Sequence, residues 1–205
     1  MQTKSKIILH NYFFTIALLI FLISCSKIQK KHINNTKKHT MNTTQSYGIE
    51  GLKAPEWNIK VWVDENGNKR NPIQLSDLKG KFKVIYCFQS WCPGCHSIGL
   101  PSLQAMTKAL KENKNIQFLA IQTVFEGNSS NTYEKMLEIQ KKYNLKIPFA
   151  QDNGNSSTNN ISNIMVNYRT GGTPWFIFID QNDNVVFNDY HLDTEKAISY
   201  LKQIK

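Results

Sequence analysis

The dominant pattern along the chain is a series of short apolar runs separated by polar, Asn- and Gly-rich stretches. "FKVIYCFQ", starting at Phe82, is apolar almost throughout, which predicts a central strand covered on both faces. "NIQFLAIQTV" predicts a second strand of the same kind. "KIPFAQD" predicts a short strand, "PWFIFID" another, and "VVFND" its hairpin partner across the turn residues "QNDN". Upstream, Trp57, Ile59, Val61 and Val63 alternate in "EWNIKVWV", which predicts a strand with these four on one face. "DENGNKRN" supplies a turn with Asn66-Gly67 as the hairpin signal, and "PIQL" is its expected return strand. "SDLKGK" reads as a helical turn closed by Gly80.

Helical spacing fills the intervals. Leu100, Leu103, Met106 or Thr107, and Leu110 mark one helix, which Pro101 is expected to kink. Tyr133, Met136 and Leu137 mark a second, in "NTYEKMLEIQKKY". "SSTNNISNIMVNY" reads as a weaker, Asn-rich helix with a Ser/Thr cap. "DTEKAISYLKQI" closes the chain as a helix capped by Asp193, with Ala197, Leu201 and Ile204 inward. Strands alternating with helices, then a hairpin and a last helix, predict an α/β sandwich around a central mixed sheet, with an N-terminal β-hairpin extension.

Charge divides the chain. Residues 1–49 carry seven lysines and no acid, so of the net charge of +10 only +3 belongs to the remainder. That remainder has no dense basic stripe, which argues against nucleic acid as a partner. "MQTKSK" followed by "IILHNYFFTIALLIFLIS" has the layout of a secretory signal. Its uninterrupted part, Phe13 to Ile23, is shorter than the roughly 20 residues of a membrane span. "LISC", ending at Cys25, resembles the bacterial lipoprotein lipobox. The resemblance implies cleavage before Cys25 and a lipid on it. The other reading is an uncleaved anchor helix. Both place the rest of the chain outside the cytoplasm, in the cell envelope. The polar, basic stretch that follows reads as a flexible tether. The expected organisation is a signal peptide at 1–24, a lipidated cysteine and tether at 25–47, and a folded domain at 48–205, with its first element beyond Gly51.

Three cysteines then remain: Cys87, Cys92 and Cys95. Cys87 lies inside an apolar run and reads as a buried thiol. Cys92-Pro93-Gly94-Cys95 can be a redox pair, half of a metal site or a structural disulfide. Zinc needs four ligands, and no second CxxC or converging His is evident. Cys92 falls where a buried strand gives way to a helix, whose free N–H groups and dipole favour a thiolate there. Cys95 sits one turn further in. A strand-to-helix CxxC is the usual context of a redox motif in an α/β protein. A structural disulfide stays open on the residues alone.

"VIYCFQSWCPGC", followed by an amphipathic helix, resembles the thioredoxin superfamily. The lipobox-bearing form resembles its TlpA/ResA-like thiol–disulfide oxidoreductases, related to the AhpC/TSA redoxins. "APEW…DENG…IQLSDLKGK" and "GGTPWFIFID" are similar to the opening and the later signature of that subgroup. The resemblance covers about residues 51–205. It implies a thioredoxin-like fold with Cys92 as nucleophile, Cys95 as resolving thiol, and a redox-active disulfide in place of any nucleotide or metal cofactor. It implies a cis bond before Pro174, in a loop that faces the CxxC and lets the backbone at Thr173 bind substrate. Trp91 becomes an apolar cover and partner surface. The implied clients are exported proteins bearing disulfides or thiols, apocytochrome c among them, with a membrane protein as electron donor.

Four features depart from the family pattern. Tyr86 stands where thioredoxins carry a buried Asp. "HSIGLP" lacks the acid often found after the second Cys. The helix proline comes one residue late. Pro93-Gly94 reverses thioredoxin's Gly-Pro. Proton handling is left to water, another residue or His96, which otherwise reads as an exposed helix residue. A peroxidase is the enzymatic alternative, but Gln89 replaces the Thr that peroxiredoxins need three residues before their Cys. Copper delivery expects CxxxC and a late His, and the spacing to His191 does not fit. A non-catalytic binding lipoprotein with a structural disulfide is the other alternative.

Overall fold

A computed structural model describes residues 47–205. The signal peptide, Cys25 and nearly all of the tether lie outside the described residues, and so does the expected lipid.

The central strands form as the apolar runs predict. β3 (Phe82–Phe88) and β4 (Ile116–Thr123) pair in parallel at the middle of the sheet. β5 (Phe149–Asp152) extends the parallel set beyond β4. β6 (Trp175–Ile179) runs antiparallel to β3, and β7 (Val185–Asp189) antiparallel to β6. With β1 (Val61–Val63) and β2 (Lys69–Arg70), the mixed sheet has the order β2-β1-β5-β4-β3-β6-β7.

The period of two along β3 divides the core. Phe82, Val84, Tyr86 and Phe88 face one cluster, with Leu100, Leu103 and Met106 of α1 (Leu100–Ala109). Met136 and Ile139 of α2 (Tyr133–Lys142) and Ala197 and Leu201 of α4 (Thr194–Leu201) complete that layer. Ile85 and Cys87 face the other layer, with Trp57, Trp62, Leu75, Ile164 and Trp175. Cys87 is a wholly buried free thiol, as expected. Thr132 and Asp193 cap α2 and α4, each side chain accepting a backbone N–H three residues on.

The expected N-terminal hairpin differs in detail. Asn58 has a left-handed backbone (φ 51°), which breaks the alternation. The strand is only Val61–Val63; Trp62 and Val63 are buried, whereas Val61 is exposed. Trp57 and Ile59 are buried in the layer that holds Trp62, not the one that holds Val63. Asp64 accepts the backbone N–H groups of Asn66 and Asn68, which tightens the turn. The return strand therefore starts at Lys69, and "PIQL" instead leads into a 3-10 turn at Leu75–Leu78. The expected Asn-rich helix is also broken. Asn159 and Asn160 both take left-handed φ, leaving a 3-10 turn at Ser156–Thr158 and a short α3 (Asn163–Asn167) capped by Ser162. The chain is already tied in before Gly51, because the Gly48 N–H donates to the Arg169 carbonyl and Ile49 is buried. No helix among the described residues is long and apolar enough to cross a membrane.

Candidate active site

The register of β3 places the site. Cys87 pairs with Trp175, so the loop ending at Pro174 lies opposite the end of β3 where the CxxC begins. The Thr173-Pro174 bond is cis. The Thr173 carbonyl accepts from Cys92 Sγ at 3.4 Å. Gly94 packs on the same proline: a Cβ there would stand 3.2 Å from Pro174 Cδ. The two sequence motifs, some 80 residues apart, thus meet.

Pro93 and Gly94 are already helical, so Cys92 stands at the N-cap of the helix. Proline suits the first helical position, where no intrahelical N–H is needed. The Cys95 N–H donates to Cys92 Sγ at 3.3 Å, the contact that a capping Ser or Asp would make. The Cys92 sulfur therefore has one donor and one acceptor within reach.

The two thiols differ. Both are free, but Cys92 keeps slight exposure (7%) while Cys95 has none. Burial, and then the hydrogen bond with Cys92, pushes the Cys95 thiol up to about 12. A backbone hydrogen bond from Gln89 partly offsets this. Burial also holds the Cys87 thiol far above its ordinary value. The arrangement suits a reachable first thiol and a second that stays protonated until needed.

The helix that follows is distorted. Cys95–Gly99 is a π-helical segment, and the Leu100 N–H donates to the Cys95 carbonyl. Pro101 falls in the first turn of regular α1 and is compatible with it. The irregularity expected at Pro101 therefore lies in the turn before it. π segments occur often at functional sites.

His96 is not the exposed helix residue expected. It is half-buried, with Nε2 2.7 Å from the Ser90 carbonyl and Nδ1 2.8 Å from Tyr143 Oη. With the proton on Nε2, the ring donates to Ser90 and accepts from Tyr143. This clamps the helix start to the end of α2.

Gln89 and Ser90 are held by buried Asn131. Its Oδ1 accepts the Ser90 N–H at 2.9 Å, and its Nδ2 donates to Gln89 Oε1 at 3.0 Å. Nothing in the local sequence marks Asn131 for this work; its role follows from the loop between β4 and α2 passing over the end of β3. Trp91 is half-exposed (47%) and lies against the backbone of that loop at Gly127. His191, near β7, neighbours Tyr190 and Asp189 and not the cysteines.

A CxxC at the end of a central β-strand, with its second thiol buried beneath the first and a cis-proline loop facing it, marks a thioredoxin-fold thiol–disulfide oxidoreductase. The sequence comparisons agree. The Redoxin family matches residues 49–204, and the chain belongs to that family. It is 28% identical over 155 residues to the thiol-disulfide oxidoreductase ResA of Bacillus cereus, covering 75% of this chain and 78% of that protein. The same identity and coverage hold for ResA of Bacillus anthracis. Among solved structures, it superposes on a thioredoxin-like superfamily protein with a TM-score of 0.65 at 27% identity, covering 75% of this chain and 96% of the other. A thiol-disulfide isomerase from Corynebacterium glutamicum gives 0.61 at 26% identity, covering 74% and 97%. The protein is accordingly TlpA/ResA-like.

Proposed function

We propose that the protein is an extracytoplasmic, membrane-anchored reductase of disulfides in exported proteins, apocytochrome c being one client class. The observation that carries the direct role of the pair is its asymmetry: slightly exposed Cys92 at a helix N-cap, buried Cys95 with a thiol pushed up to about 12. Cys92 thiolate attacks a client disulfide. One client sulfur leaves as thiolate and takes a proton, while Cys92 and the client form a mixed disulfide. Cys95 loses its proton and attacks Cys92 Sγ. The Cys92–Cys95 bond forms, the second client thiol is released, and the client has gained two electrons. A membrane dithiol protein returns the pair to the reduced state. Thr173 and Pro174 receive the client backbone, and Trp91 offers a flat apolar contact beside the sulfur. The dithiol is the whole redox cofactor. The basic N-terminal segment and the lipobox-like "LISC" support export and a lipid on Cys25.

The test is insulin-disulfide reduction by the full-length protein, with Cys92→Ser beside it. Abolished turnover is expected; unchanged turnover would refute the assignment. The potential of the pair against a dithiol buffer then sets the direction. A value near about −270 mV fits a reductase, and one near about −120 mV would make it an oxidant instead. A pair that resists reduction far below both would be a structural disulfide, leaving a binding role.

A further inference from the structure

Tyr86 is a fully buried titratable side chain whose hydroxyl reaches the turn that carries Cys95. It lies on β3, facing the layer that holds Cys92 and Cys95. Its hydroxyl donates to the Cys95 carbonyl at 3.4 Å, a long contact that competes with the Leu100 N–H for the same acceptor. The helix start is shaped around this hydroxyl. A Cβ at Gly99 would come within 2.3 Å of Tyr86 Oη, so only glycine lets the π-helical turn pass over it.

We propose that Tyr86 is a positioning residue for the second half-reaction: its hydroxyl moves from the Cys95 carbonyl to the Cys95 sulfur and hydrogen-bonds it as the thiolate attacks the mixed disulfide. This rests on the two-step exchange above. The carbonyl keeps its Leu100 partner when the hydroxyl leaves it, so the move orphans no backbone group. The phenol itself stays protonated. Burial first, and then the charge and hydrogen bonding of Cys95, hold it well above its ordinary value. The proton lost by Cys95 ends on the released client thiol, by way of solvent. Among the described residues, the titratable groups around Cys95 are Cys92 and His96 on its own turn, Tyr86 and Cys87 on β3, and Tyr143 at the end of α2. None is a carboxylate, and the sequence of the facing loop, 170–174, contains no titratable side chain. A neutral donor is therefore what the buried side of the site offers a new negative charge.

The experiment is stopped-flow reaction of the reduced full-length protein with an aromatic disulfide such as DTNB. Attack by Cys92 releases one chromophoric thiolate in a reagent-dependent phase. Attack by Cys95 releases the second in a reagent-independent phase. In Tyr86→Phe, loss of a hydrogen bond to a charged sulfur should slow the second phase about tenfold or more. Across the pH range that slowing should persist while the first phase keeps its rate. An unchanged second phase, or equal slowing of both, would overturn the proposal. 3-Fluorotyrosine at position 86, a stronger donor of similar shape, should speed the second phase; failure to do so counts against the proposal even if Tyr86→Phe folds poorly. If the native protein shows no reagent-independent phase at all, the two-step exchange itself is wrong, which separates that failure from this one.

Discussion

Gly99→Ala asks whether the helix start truly rests on Tyr86 and the cis-proline. The added methyl would meet Tyr86 Oη at 2.3 Å, Tyr86 Cε2 at 2.7 Å and Pro174 Cβ at 2.8 Å. All three lie on buried residues. Overpacking of a dense core costs about 1–3 kcal/mol, and three such contacts put this site at the upper end. Replacing a helical glycine by alanine returns about 1 kcal/mol. The net expectation is about 2 kcal/mol of destabilisation, which for a chain of this size lowers Tm by about 4–8 °C. Because the turn carries Cys95, the displacement should also slow disulfide exchange. Urea denaturation of the reduced protein measures the first effect, and insulin reduction the second. Tyr86→Phe removes the closest of the three contacts, so the double variant should recover part of the loss, with a coupling of about 1 kcal/mol. A neutral or stabilising Gly99→Ala would mean that the turn does not lie against Tyr86, and the account of the resolving thiol would fall with it.

The buried thiols predict a pH dependence with a definite sign. Cys95 sits near 12 in the folded state against an ordinary value of 9.0, so its contribution is complete below about pH 9. As pH rises from there towards 12, the unfolded chain loses its proton first and that stability is lost. Urea midpoints of the reduced protein should therefore fall over that range, and less steeply in Cys95→Ser; parallel curves would contradict the assignment. Lys83 is buried and bonded to the Asp183 carboxylate and, at 3.3 Å, to the Asp180 carbonyl. Asp183→Asn should cost about 2–3 kcal/mol in urea, a little below a fully buried pair because Asp183 is one-third exposed, whereas Lys83→Met should cost far less. Equal losses from both would show that the charge pair is not what matters there.

Much of this protein can be read along the chain because local physics sets it. The continuous apolar runs became β3 and β4, since a strand covered on both faces buries nearly every position of such a run. Leu100, Leu103, Met106 and Leu110 became the buried stripe of α1 and its end. The CxxC at the strand-to-helix junction and the Thr-Pro before β6 were recognisable separately. Single backbone conformations were not. Left-handed Asn58, Asn159 and Asn160 redirected one strand and cut one helix, because Asn tolerates αL without announcing it. The partners of the chemistry were decided only by the tertiary structure. Tyr86 stands out along the chain only as a departure from the family pattern, with no contact attached to it, and Asn131 only as the polar start of a predicted helix. His96 reads as a surface side chain. Each takes its place from an atom on another element: the Cys95 carbonyl above Tyr86, Gln89 and Ser90 beside Asn131, Tyr143 against His96. Periodicity reports which face of an element is buried; what a buried polar atom touches depends on how the layers close over it.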